Sequence, residues 1–178
     1  MLFTNKAIFL DRDGVLNQDK VDYVYQIQDF KILDGVPEAI KLLKDAGFIL
    51  IVVTNQSGIA KNIYTEKEVM ACWEFLQKNC NYLIDDHYFA PHHPQYTSES
   101  LSRKPNSLML EKAIAKYKID VQNSWIIGDS NRDIEAGKKV GIKTAHIIGT
   151  KAQKENIKQV ADIQVNSLLE AAQKIIQS

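Results

Sequence analysis

The stretch KAIFLDRDG, residues 6–14, decides the fold. Lys6–Leu10 is a short apolar run suited to a buried strand, and it ends at once in Asp11-Arg12-Asp13-Gly14, a polar turn. Reading outward, apolar strands and helical spacings alternate along the chain. Val36–Ala46 has apolar residues at helical spacing, with Pro37 suited to the first turn and Gly47 just beyond the end. Phe48–Val53 is almost wholly apolar, rich in Ile and Val, and too short for most helices, so it reads as a buried strand. Thr65 and Glu68 form a capping-box pattern that opens a helix to about Lys78. Further on, the pattern predicts a weak strand at His87–Phe89 and a helix over Pro105–Tyr117 with proline at its first position. Trp125–Ile127 reads as a strand, Arg132–Val140 as a helix ended by Gly141, and Thr144–Ile148 as a strand. A short strand at Ile163–Val165 and a closing helix capped by Ser167 complete the chain. Such alternation predicts an α/β fold, a doubly wound parallel sheet with helices on both faces. No linker or repeat interrupts it, and one domain over 1–178 is expected.

Composition narrows the class. Lysine and arginine total 22 and aspartate and glutamate total 22, so no basic excess marks a nucleic-acid binder. No apolar run approaches membrane-spanning length, and Met1 to Leu10 is too short and mixed for a signal peptide, so the cytoplasm is the expected compartment. Cys72 and Cys80 are eight apart, show no metal spacing, and read as plain buried thiols.

The chemistry gathers where strands end. In open parallel sheets, ligands bind outside the carboxyl ends of the strands. Four polar clusters follow predicted strands: Asp11–Gly14, Thr54-Asn55-Gln56-Ser57-Gly58, Arg103-Lys104-Pro105, and Gly128-Asp129-Ser130-Asn131-Arg132-Asp133. Each alone reads equally well as ordinary turn chemistry. Together they place Asp11, Asp13, Asp129 and Asp133 at one edge, where carboxylates raise each other's pKa unless a cation intervenes. Oxygen ligands of this kind suit Mg²⁺. Arg103 and Lys104 directly precede a predicted helix, and cations at a helix N-terminus are unfavourable unless an anion binds there. The combination describes phosphoryl transfer.

FLDRDGVLN, VVTNQSG, RKP and GDSNRD resemble the four motifs of the haloacid dehalogenase superfamily, over about Phe9 to Val165. The finer resemblance is to its heptose bisphosphate phosphatase and histidinol-phosphate phosphatase branch, through Thr54–Ala60, Pro91-His92-His93-Pro94, Arg103-Lys104-Pro105, Asp29-Phe30 and Leu33-Asp34-Gly35. The resemblance implies that Asp11 is the nucleophile and a metal ligand. It implies that Asp13 is the general acid and base, its backbone carbonyl also on Mg²⁺. Thr54 and Lys104 would hold the phosphoryl oxygens, and Asp129 would complete the protein ligands of the metal. Asn55, Gln56, Ser57 and Arg103 would contact substrate, and Asp133 would orient groups from behind. The segments Asn17–Asp34 and Ala90–Ser102 are too short for a cap domain, so a flap and the loop near His92 are expected to cover the site, with Asp19–Tyr23 matching the family's flap only loosely.

Two departures from that branch stand out. Its members typically hold structural zinc with three cysteines and a histidine; here His92 remains, but Ala90, Ser100 and Ser102 stand at the cysteine positions. No structural zinc is therefore expected. Ser130 stands where a phosphate-binding lysine is common, and Arg132 and Lys151 are the candidates to replace that cation. The expected protein is a monomeric phosphatase acting on a small phosphorylated substrate, most simply D-glycero-D-manno-heptose 1,7-bisphosphate, without nucleic-acid or membrane partners. Histidinol phosphate or another small phosphomonoester is the second reading, and a binding protein without turnover the third.

Overall fold

The computed structural model describes residues 4–20, 22–148 and 160–177. Six strands form one sheet: β1 (Ala7–Leu10), β2 (Ile49–Asn55), β3 (Asp86–Ala90), β4 (Trp125–Gly128), β5 (Lys143–Ile147) and β6 (Ile163–Val165). Their spatial order is β3-β2-β1-β4-β5-β6, and every pairing is parallel. Among the described residues five α-helices connect and flank them: α1 (Val36–Asp45), α2 (Glu66–Asn79), α3 (Leu108–Tyr117), α4 (Asn131–Val140) and α5 (Leu168–Gln177).

Strand alternation sorts the core into two layers. Ile8, Leu10, Leu50, Val52, Trp125, Ile127, Ala145 and Ile147 face one cluster, with Ala39, Ile40 and Leu43 of α1, Cys72 and Leu76 of α2, and Leu168, Ala172 and Ile175 of α5. Ala7, Phe9, Ile51, Val53 and Ile126 face the other, with Met109, Leu110 and Ala113 of α3 and Ala136 of α4. All four residues of β1 are wholly buried because both faces are covered, which is why the strand reads as an unbroken apolar run. Each such isoleucine, leucine or phenylalanine contributes about 1.5–3 kcal/mol by leaving water. Both cysteines are buried free thiols, as the sequence suggests.

The boundaries of most elements fall within a residue or two of their sequence reading. α3 is the exception, because it begins at Leu108 and not at Pro105. Asn55 explains the delay: its side chain donates to the Lys104 carbonyl at 2.9 Å and accepts from the Lys104 amide at 3.0 Å. Leu108 N–H consequently bonds the Leu101 carbonyl, not that of Lys104. Arg103 and Lys104 therefore lie in a turn ahead of the helix, and the sequence argument that placed them against its N-terminus does not hold.

From β1 the chain steps outward to β2 and β3, then crosses back to β4 and steps the other way. The sheet thus has a switch point between β1 and β4, where an open α/β sheet leaves a crevice. Among the described residues no cap domain is inserted; residues 11–20 and 22–35 form a buttressed excursion that buries Val15, Leu16, Val24 and Phe30. Among the described residues, no helix is long and apolar enough to cross a membrane.

Candidate active site

β1 delivers Asp11 to the switch point and β4 delivers Asp129 beside it. The approach is close enough to exclude any side chain between them: a Cβ on Gly14, which has φ +84°, would lie 2.1 Å from Asp129 Oδ2. Asp133 enters from the first turn of α4. Its Oδ2 accepts from the Ser130 hydroxyl at 2.6 Å and the Ser130 amide at 3.2 Å, closing a capping box. Ser130, the position without a lysine, is thus used as a helix cap.

Lys104 ties these carboxylates together. Its side chain is 2% exposed, with Nζ 3.0 Å from Asp11 Oδ1, 2.5 Å from Asp133 Oδ1 and 2.7 Å from the Val53 carbonyl, to which it donates. Burial alone would push the Lys104 ammonium down, but Asp11 and Asp133 outweigh it and hold the cation charged. Burial likewise pushes the Asp133 acid up, and Lys104 more than reverses this. Asp11 is different. Desolvation raises its pKa to about 6, against the pull of Lys104 and with help from the charges of Asp133 and Asp13.

Asp13 points into a separate set of donors. Arg12 grips it with one edge of the guanidinium, Nε donating to Oδ1 at 3.2 Å and Nη2 to Oδ1 at 2.9 Å and Oδ2 at 3.0 Å. Asn17 Nδ2 donates to Oδ1 at 2.9 Å and Gln56 Nε2 to Oδ2 at 3.2 Å. Gln56 Nε2 also reaches Thr54 Oγ1 at 2.9 Å, while Tyr64 donates its hydroxyl to Gln56 Oε1 at 2.7 Å. Burial holds the Tyr64 hydroxyl above its usual range, so it remains a donor and fixes which end of the amide faces Asp13. Arg12 further donates to the Val24 carbonyl at 2.6 Å, linking Asp13 to the excursion after β1. Arg12, Asn17 and Tyr64 were not singled out from sequence. Arg12 lies inside the Asp-x-Asp pair, and that adjacency was the available signal; Asn17 and Tyr64 are distant partners that spacing does not reveal.

Asp11, Asp129 and Asp133 present oxygens within 4.8 Å of one another. Hard carboxylate oxygens at this spacing, one of them desolvated enough to resist ionisation, are a donor set suited to Mg²⁺. Asp133 meets Ser130 through Oδ2 and the Lys104 ammonium through Oδ1, so it would face an ion only in competition with that lysine. The Asp13 side chain is outside the triad.

The remaining sequence-chosen residues line the same edge. Thr54 and Asn55 end β2, and Ser57 follows them. Ser57 accepts from Arg103 at 2.7 Å, and Arg103 also donates to the His92 carbonyl at 3.2 Å. Lys151 lies outside the described residues, as does Val21 within the Asp19–Tyr23 segment.

The loop after β3 is held by its own polar groups. His93 N–H donates to Thr97 Oγ1 at 3.1 Å, and Ser100 and Ser102 hydroxyls bond each other at 2.8 Å. Asn106 Nδ2 donates to the Ser100 carbonyl at 3.2 Å. Neutral hydroxyls are weak zinc donors, and a closed zinc site needs four strong ones. Elemental analysis of untagged protein should therefore give well under one zinc per chain; one equivalent retained after mild chelation and lost in His92→Ala would overturn this expectation.

A carboxylate pair and a buried lysine at the switch point of a parallel sheet, with no cap domain among the described residues, are what the haloacid dehalogenase-like resemblance leads one to expect. The HAD-hydrolase-like family matches residues 101–171. The D-glycero-beta-D-manno-heptose-1,7-bisphosphate 7-phosphatase of Haemophilus ducreyi is 38% identical, covering 93% of this chain and 95% of its own. The alpha-anomer 7-phosphatase of Photorhabdus laumondii is 37% identical, covering 82% of this chain and 83% of its own. The B. bronchiseptica D,D-heptose 1,7-bisphosphate phosphatase, solved with magnesium and phosphate, superimposes with TM-score 0.88 at 26% identity, covering 97% and 98% of the two chains. The chain belongs to the heptose-bisphosphate phosphatase branch of the haloacid dehalogenase-like hydrolases.

Proposed function

We propose that this protein is a Mg²⁺-dependent phosphatase that removes the 7-phosphate of D-glycero-D-manno-heptose 1,7-bisphosphate. The observation that carries it is Asp11, at the end of a wholly buried strand, facing a buried Lys104 ammonium at 3.0 Å and sharing a cluster with Asp129. A carboxylate attacks without a base to activate it once it is ionised. Asp11 attacks phosphorus, the P–O bond to the sugar breaks, and the departing alkoxide takes a proton from Asp13. A water then attacks the phosphoaspartate, Asp13 accepts its proton, and Asp11 is restored as inorganic phosphate leaves. Lys104 and Thr54 hold the phosphoryl oxygens, Asn55 braces Lys104 through its backbone, and Gln56 keeps Asp13 and Thr54 in register. Ser57 and Arg103 face the sugar side. Asp11, Asp129 and the Asp13 carbonyl would hold Mg²⁺, which would supply positive charge against the phosphoryl oxygens. The reading includes one catalytic domain over 1–178, acting as a monomer on a small soluble ester in the cytoplasm.

Phosphate release over a panel of both heptose bisphosphate anomers, histidinol phosphate and simple sugar phosphates tests it. One of the heptose anomers should give the highest kcat/KM; a preference for histidinol phosphate over both would overturn the substrate assignment. The anomer is left to the panel, because relatives named for each are almost equally similar to this chain.

A further inference from the structure

Three cations gather at the mouth of the site. Lys61 comes from the turn after β2, where its amide bonds the Ser57 carbonyl at 3.3 Å. Its ammonium stands 5.4 Å from the Tyr23 ring centre and 5.1 Å from that of Tyr96. It is thus held between the excursion after β1 and the loop after β3, the two segments that flank the entrance. Arg103 leans on the same loop through the His92 carbonyl and precedes Lys104, whose ammonium touches Asp11. Arg132 projects from the first turn of α4.

These charges feel one another. Burial lowers the Arg103 pKa, and Arg132 lowers it further. Desolvation depresses His93, with added repulsion from Arg103 and Lys61. Among the described residues, no carboxylate lies within ion-pair distance of Lys61, Arg103 or Arg132. Like charges that converge without counter-charges are a repulsive arrangement which a bound anion relieves. The reacting phosphate is already provided for by Lys104 deeper in the site. A second anionic group, outside it, is what remains for the rim.

We infer that Lys61, acting with Arg103, binds the phosphate that is not transferred and is a specificity-determining residue for a substrate phosphorylated at both ends. The inference rests on the heptose bisphosphate reading. It also accounts for Ser130: with the cation supplied from the loop after β2, that position is free to cap α4. Lys61 suits this task because its aromatic neighbours hold the side chain over the entrance without neutralising it. The bland alternative is that Lys61 merely fastens Tyr23 to Tyr96, as exposed cation–aromatic contacts often do.

A charge-assisted contact of this kind corresponds to roughly 10–100-fold in binding. The test compares Lys61→Met with the parent on heptose 1,7-bisphosphate and on heptose 7-phosphate. The ratio of kcat/KM between the two substrates should fall by about tenfold or more, through KM of the bisphosphate, and Lys61→Arg should restore it. Equal losses on both substrates would show a fastening role and overturn the proposal, as would an unchanged ratio. A thermal melt of each variant separates either outcome from misfolding. A parent enzyme that hydrolyses the two esters equally well would instead sink the bisphosphate reading, a result distinct from a parent preference that Lys61→Met leaves intact.

Discussion

Asp11→Asn is expected to abolish phosphate release, by on the order of 10⁴-fold or more, the scale seen when a nucleophile acting in a coupled unit is removed. The amide is isosteric and cannot form the phosphoaspartate. Little else in the structure depends on the charge. Arg12 N–H now donates to Asp11 Oδ1 at 2.7 Å, and an asparagine oxygen accepts equally well. Lys104 keeps Asp133 and the Val53 carbonyl as partners. Burial of the Asp11 charge is unfavourable, as its raised pKa of about 6 records, so the metal-free variant should melt no lower than the parent at neutral pH. Asp13→Asn should be milder, on the order of 10²–10⁴ in rate, because a general acid and base is lost while the nucleophile stays. Near-parental hydrolysis by Asp11→Asn, in protein with a normal melt, would mean that another group attacks phosphorus.

The sequence carried the sheet because parallel strands buried on both faces must be apolar along their whole length. β1 and β2 show this most plainly, and the polar clusters that follow them fall at the switch point as the topology requires. Motif residues were legible for the same reason: Asp11, Thr54 and Asp129 sit where strands stop. What spacing could not reveal was side-chain partnership over long sequence distance. Asn55 captures the backbone of Lys104 from 49 residues away, and this pair of hydrogen bonds holds Arg103 and Lys104 in a turn ahead of α3, against the helix-end argument for them. Lys104 is needed all the same, but through direct ion pairing with Asp11 and Asp133, while Arg103 bonds Ser57 and the His92 carbonyl. Gln56 is a second instance. The resemblance implies substrate contact for it; in the fold it is 1% exposed with its amide engaged by Asp13, Thr54 and Tyr64, partners that spacing does not reveal. Arg12, inside the polar turn Asp11–Gly14, has no role of its own in the sequence reading; in the fold it is 4% exposed and grips Asp13.

Removal of divalent metal should abolish activity completely, and the loss should depend on pH in a defined direction. Asp11, Asp129 and Asp133 crowd oxygens within 4.8 Å, and a phosphate dianion cannot approach such a cluster unless a cation offsets it. Mg²⁺ added back to chelator-treated protein should restore turnover. Ca²⁺ should bind yet support catalysis poorly, because its larger and looser coordination shell misplaces the attacking carboxylate. Protons compete with the ion for Asp11, whose pKa in the metal-free protein is raised to about 6. The concentration of Mg²⁺ needed for half-activation should therefore be flat above about pH 7 and climb as pH falls through 6, approaching tenfold per pH unit below it. Stability of the metal-free protein should move in the opposite sense. A carboxyl whose folded pKa is raised from 3.8 binds its proton more tightly when folded, so its contribution to stability falls as pH rises from about 4 to about 6. Mg²⁺ offsets that loss by binding only the folded, ionised site, and so should raise Tm more at pH 7.5 than at pH 5. Full activity in metal-stripped buffer would defeat the metal-dependent mechanism. A half-activation concentration that stayed constant from pH 5 to 8 would show instead that Asp11 is not a ligand of the ion.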